Sequence, residues 1–233
     1  MNEFSLIFIS ALVLMTGVEL WLSLRQSRYV TAHRNEVPDA FKGQINLVDH
    51  QKAASYTVAK GQLNRVEGIC GMIILLLWTI GGGLAWLSES WQFLGWSEMV
   101  LGISFILSFF VIGTLIDLPF SWYRTFVLEE KFGFNKNSPG LFLTDLLKQT
   151  VLMLIIGAPL LWGALSLMDS AGEYWWLYLW AAWFAFTLLV MWAYPAFIAP
   201  LFNKFTPLED IKLKERVESL LSRCGFKSQG IFV

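Results

Sequence analysis

Apolar residues fall in five long blocks, at 4–24, 69–87, 99–120, 150–168 and 174–194, and the segments between them carry nearly all of the charge. A helix rises about 1.5 Å per residue, so about 20 apolar residues cross the roughly 30 Å of hydrocarbon in a bilayer. Each block is close to that length. The pattern predicts an all-α integral membrane protein with five transmembrane helices. The first block does not read as a cleaved signal peptide, because its leader "MNEF" has no cation and no small-residue cleavage site closes it.

Composition supports the same solvent. Of 233 residues, 56% are hydrophobic and 15% charged, with a mean hydropathy of +0.55, whereas a soluble domain carries roughly 25% charge. Twelve Trp and nineteen Phe fit aromatic belts at bilayer interfaces. The net charge of −1 gives no electrostatic footprint for nucleic acid, and none is expected as a partner; membrane lipid is. Cys70 and Cys224 stand far apart without a CxxC pair, so neither a disulfide framework nor a thiolate site follows, and both read as small apolar fillers.

Charge is one-sided. The segment 25–65 holds seven Lys or Arg, 121–149 four, and the tail after Tyr194 six, which together are all seventeen in the chain. Cations stay on the cytoplasmic side. The expected topology is therefore N-terminus out and C-terminus cytosolic, with the long 25–66 connection on the cytosolic side and partly helical from Asn46 to Arg65.

Carboxylates in hydrocarbon are costly and belong against a bundle interior or water. Glu19 sits in the first block and Asp117 near the end of the third. Thr16, Glu19, Ser23 and Gln26 step along one helical face, as do Thr114, Asp117, Ser121 and Arg124. Two polar stripes point to a hydrated chamber opening inward. The alternative is that Glu19, about 9 Å of helix rise from Arg25, and Asp117 are simply paired structural charges.

After Pro119, "SWYRTFVLEEKFGFNK" projects onto a helix with Trp122, Tyr123, Phe126 and Val127 on one face, Arg124, Leu128 and Lys131 on the other, and with Glu130 inside the aromatic face and Glu129 at its edge. A carboxylate there calls for a protein partner; the alternative is an interfacial helix on lipid. Gly133 is expected to end this helix and Ser138 to cap the next. Farther on, Pro195 and Pro200 are expected to disrupt the end of the fifth span. "TPLE" reads as a capping box with Thr206 as N-cap, opening an amphipathic helix with Leu213, Val217, Leu220, Leu221 and Cys224 on its apolar stripe and Gly225 at its end. "GIFV" then reads as the start of a strand.

"LPFSWYRTFVLEEKFGFNK" and "YPAFIAPLFNKFTPLEDIKLKERVE", with Glu19 followed by "LWLSLRQ" and with Glu67–Gly68 opening the second span, resemble the type I CAAX prenyl endopeptidases, integral-membrane zinc metalloproteases. The resemblance covers essentially the whole chain. It implies that residues 1–200 are the five-helix part of a larger helical barrel around a chamber admitting C-terminal peptides, prenylated or not. It implies that 201–233 begin a cytosolic metalloprotease domain, truncated before the zinc motif, and that this missing C-terminal domain is the chain's partner. It places the protein in a bacterial cytoplasmic membrane or in the endoplasmic reticulum membrane.

The family's zinc is held by an HExxH helix and a later glutamate. His33 and His50 are the two histidines here, and neither lies in HExxH; both read as ordinary loop histidines. The intact enzyme is thus expected to carry zinc, and this chain to hold no catalytic residue, to bind no metal and to be inactive alone. Glu19, Asp117, Glu129, Glu130 and Asn135 match polar positions of the family pattern and, with Arg124, are the candidates for lining the chamber or bracing the protease domain. A non-catalytic membrane scaffold and a small channel or transporter are the rival readings.

Overall fold

The computed structural model describes residues 2–202, 206–226 and 230–231. Helix α1 (Glu3–Ala32) starts at Asn2, whose side chain accepts the Ser5 N–H at 2.9 Å. Helix α2 (Leu47–Thr79) is capped by Asn46 in the same way, through the Asp49 N–H at 2.7 Å, so the helix expected from Asn46 runs straight into the second span. Helices α3 (Gly83–Gln92) and α4 (Glu98–Tyr123) follow. A π-helical turn, Arg124–Glu129, leads into the short α5 (Glu130–Phe132). Helix α6 (Pro139–Ser170) takes its start from Ser138, whose Oγ accepts the Leu141 N–H at 3.2 Å. Helix α7 (Trp175–Ala193) passes through a second π segment, Tyr194–Ile198, into α8 (Ala199–Phe202), and α9 spans Ile211–Arg223.

Among the described residues four helical stretches are long and apolar enough to cross a membrane, and α2 with α3 makes a fifth that is bent by 52°. All five expected blocks are therefore membrane-capable helices, the second of them broken. The break is written in "GGG" at 81–83. Gly82 has φ +79°, a left-handed conformation that costs an L-residue roughly 1–2 kcal/mol. A Cβ on Gly81 would stand 2.8 Å from the Leu77 carbonyl oxygen, and one on Gly83 would stand 2.9 Å from the Trp78 ring. Gly82→Ala is accordingly expected to lower stability by about 1–2 kcal/mol, read as a lower thermal midpoint in detergent. An unchanged midpoint would mean the bend is not held by backbone conformation.

The chain falls into two compact units, Met1–Trp162 and Gly163–Val233. In the first, α1 packs along α2, where Gly61 brings the helices close enough for a Cβ to meet Ser27 Oγ at 3.3 Å. Burial is sparse: Ala54, Leu63, Leu87, Leu128, Phe132, Ala199 and Thr16 are the buried described residues. Large apolar side chains such as Trp180 and Trp192 are mostly exposed, as lipid permits.

The end of the fifth span is disrupted at Pro195 as expected: α7 stops at Ala193 and the backbone widens into the π segment before continuing through α8. Two local expectations are corrected. The last helix is capped by Asp210, which accepts the Leu213 N–H at 3.1 Å, and not by Thr206. Asp caps as well as Thr does, and the Leu208 N–H is already engaged by the Ile231 carbonyl at 2.9 Å. That backbone bond falls in the stretch 230–233 expected to start a strand, of which Phe232 and Val233 lie outside the described residues. Cys224, placed in the apolar stripe, is exposed just past α9.

Candidate functional site

The candidate residues gather around the cytosol-designated half of α2. Arg124, on the first π residue, donates from Nη2 to Glu67 Oε2 at 2.5 Å, which ties α4 to α2. Its Nε is shielded and has no hydrogen-bond partner among the described residues. One turn later Glu129 reaches α2 as well, where the Tyr56 hydroxyl donates to Oε1 at 2.5 Å. The Glu129 carbonyl also accepts the N–H groups of Phe134 and Asn135, at 2.9 and 3.3 Å. One residue thus holds both α2 and the loop after α5. The hydrogen bond to Glu129, with burial and the carboxylate's charge behind it, raises the Tyr56 hydroxyl above the usual tyrosine range against the opposing pull of Arg124. Tyr56 therefore stays protonated as donor through neutral pH.

Beneath these bonds lies a small core of Leu63, Leu128 and Phe132, with Tyr56, Ala59 and Phe120 packed on it. Tyr56 meets Phe132 and Phe134 edge-on at centroid distances of 5.3 and 5.1 Å. Trp122 and Phe126 instead turn to Phe142 of α6. The π turn changes the register assumed by a uniform helical projection. Leu128, projected away from the aromatic face, is the buried residue, and Glu130 is exposed, accepting from Asn135 Nδ2 at 2.9 Å. Gly133, with φ +74°, closes the turn.

The two polar stripes face two different grooves. Thr16, Glu19, Ser23 and Gln26 line a cavity of about 390 Å³ with Asn64, Arg65 and Gly68 of α2. Asp117, Ser121 and Arg124 line another, of about 260 Å³, with Glu67, Cys70 and Gly71. Arg124, Glu129, Glu130 and Asn135 are brought to one region, with Asp117 at its edge, while Glu19 is on the other side of α2. Sequence reasoning missed Tyr56 and the pairing of Glu67. Glu67 carried a signal, a lone carboxylate two residues before an apolar block, while Tyr56 had none beyond its place in a polar helix.

His33 and His50 line a third cavity, of about 480 Å³, beside Glu36 and Asp39. His33 Nδ1 lies 2.9 Å from the Tyr29 carbonyl, and His50 Nε2 lies 3.2 Å from that of His33. Among the described residues no group of three or more His, Cys, Asp or Glu is placed to hold a metal ion.

This arrangement has close counterparts. A family described as CAAX prenyl protease N-terminal, five membrane helices, matches residues 26–204. A CAAX prenyl protease 1 homolog of Arabidopsis thaliana is 33% identical over 95% of this chain and 54% of its own length. CAAX prenyl protease 1 of Saccharomyces cerevisiae is 33% identical over 92% of this chain and 49% of its own. The crystal structure of S. mikatae Ste24p superposes with a TM-score of 0.90 at 31% identity, covering 100% of this chain and 55% of that one. The chain spans about half the length of the curated relatives it matches. An all-helical membrane fold with these spans, matched along nearly its whole length, makes the chain a member of the CAAX prenyl protease N-terminal family.

Proposed function

We propose that this chain is the N-terminal membrane part of a CAAX-prenyl-protease-like zinc metalloendopeptidase, forming one side of a chamber that admits C-terminal peptides, prenylated or not. Residues 1–200 form the five-helix domain, with the N-terminus outside, and 201–233 lead into the cytosolic protease domain. The observation that carries this reading is the full-length superposition on S. mikatae Ste24p, of which this chain covers little more than half. Arg124–Glu67 and Tyr56–Glu129 then brace the end of α4 on α2, and Glu130 with Asn135 presents an exposed polar edge to the catalytic domain. Glu19 and Asp117 line the two grooves as chamber walls.

The residues present do not fit a zinc site, since no suitable group of side chains converges among those described. We assign no catalytic step to this chain and expect it to be inactive alone. The test has two parts. Reading the coding sequence past Val233 is expected to show an HExxH helix. The protein so encoded is expected to cleave a farnesylated CAAX peptide in proteoliposomes, with the 233-residue chain giving none. A stop codon directly after Val233, or cleavage by the chain alone, would overturn the proposal.

A further inference from the structure

Arg65 is the cation in the α1–α2 groove whose placement the bracing site does not use. Its Nη1 donates to two hydroxyls one turn apart on α1, Ser23 Oγ and Ser27 Oγ, each at 3.0 Å. Gly61, one turn earlier on α2, leaves the room: a Cβ there would stand 3.4 Å from Nη1 and 3.3 Å from Ser27 Oγ. Two serines and a glycine therefore fix a half-buried guanidinium. Arg65 makes no ion pair among the described residues. A positioned guanidinium without a carboxylate is a preorganised oxyanion receptor, because its remaining N–H groups keep their fork geometry at little entropic cost.

The level of this site narrows the ligand. Along α1 the chain turns from apolar to polar at Ser23–Arg28, and along α2 it turns from polar to apolar between Arg65 and Ile69. The hydrogen bonds of Arg65 set those two transitions side by side, so both helices cross the same headgroup plane there. Trp21 lies at that plane with the Arg25 guanidinium 5.7 Å from its ring, an interfacial pairing of aromatic and cation. The groove is polar at one end, with Ser23, Gln26, Asn64 and Arg65, and it includes Leu20 and Leu22. A headgroup with an attached acyl chain has both characters, and basic pockets between spans are a recurring form of lipid site. Glu19 also lines the groove. Its carboxylate disfavours a dianionic free phosphate more than a monoanionic phosphodiester.

We propose that the α1–α2 groove is a phospholipid site in which Arg65, held by Ser23 and Ser27, binds the phosphodiester of a headgroup-level lipid. The inference rests on the membrane placement of α1 and α2; taken with the reading of Glu19 as a chamber wall, it has this groove open to lipid at its headgroup-level end, where Ser23, Gln26 and Arg65 lie.

Native mass spectrometry of the purified protein in detergent tests it, with phosphatidylglycerol as probe and monogalactosyl diacylglycerol as the phosphate-free comparison. Phosphatidylglycerol is expected to be retained preferentially. Arg65→Gln is expected to weaken its binding by about tenfold, the scale of one charge-assisted hydrogen-bonding group. Arg65→Lys keeps the charge but loses the fork, and Ser23→Ala/Ser27→Ala keeps the arginine but frees it; both are expected to fall between. Lys52→Gln, an equal change of charge lower on α2, is expected to leave binding unchanged. Equal retention of the two lipids, or equal loss in Lys52→Gln, would overturn the proposal. So would full binding in the serine pair, or displacement of the lipid by millimolar inorganic phosphate or by a peptide ending in a free carboxylate.

Discussion

Leu128→Ala is expected to cost about 3 kcal/mol, the largest effect of any single leucine truncation in the first unit. Leu128 is 5% exposed between Leu63 and Phe132, and the residues around it are anchored from two directions, so the space it leaves cannot collapse easily. It also belongs to the polar segment between the third and fourth apolar blocks, where removal from water still drives packing. A leucine of similar size facing lipid, such as Leu189, gains far less from its contacts, because hydrocarbon chains are as apolar as the protein. The check is the thermal midpoint of each alanine variant in one detergent. Equal losses at Leu128 and Leu189 would show that the small core contributes nothing special.

Arg124→Ala should rank second, at about 2 kcal/mol, the range for a hydrogen bond between charged groups. Glu67, 24% exposed at its side chain, would be left without its partner, while the greater exposure of Arg124, 43%, tempers the loss. The asymmetry is the discriminating part. Glu67→Gln keeps an acceptor for the guanidinium and is expected to cost less. Replacing both partners with apolar residues, Glu67→Leu with Arg124→Met, is expected to recover most of the stability. A double variant as unstable as the sum of the singles would show that the two side chains do not act on one another.

The membrane-capable spans were legible because each rests on a long apolar run, and two helix starts were legible because Asn46 and Ser138 cap in the ordinary way. The bend within the second span lay in plain view in "GGG", but an apolar run reads the same whether its helix is continuous or broken. The π turn was hidden for a different reason. A projection at a uniform angle per residue assumes the α register, and six residues in a wider turn rotate everything after them, which sent Leu128 outward and Glu130 inward on paper. Tyr56 was invisible because its role depends on a carboxylate 73 positions away, and nothing local in a polar helix announces such a partner. The capping box at "TPLE" failed through competition, since Asp210 offered an equally good cap nearer the helix.

The near-absence of buried side chains bears on how the protein responds to temperature. Heat capacity rises on unfolding when apolar surface moves into water. Here most of that surface already faces outward toward lipid, and separating the helices from one another would not hydrate it. Among the described residues, the buried cluster that would be newly wetted is the patch around Leu63, Leu128 and Phe132. The stability of this fold should therefore vary gently with temperature, its curvature supplied by a few residues outside the hydrocarbon.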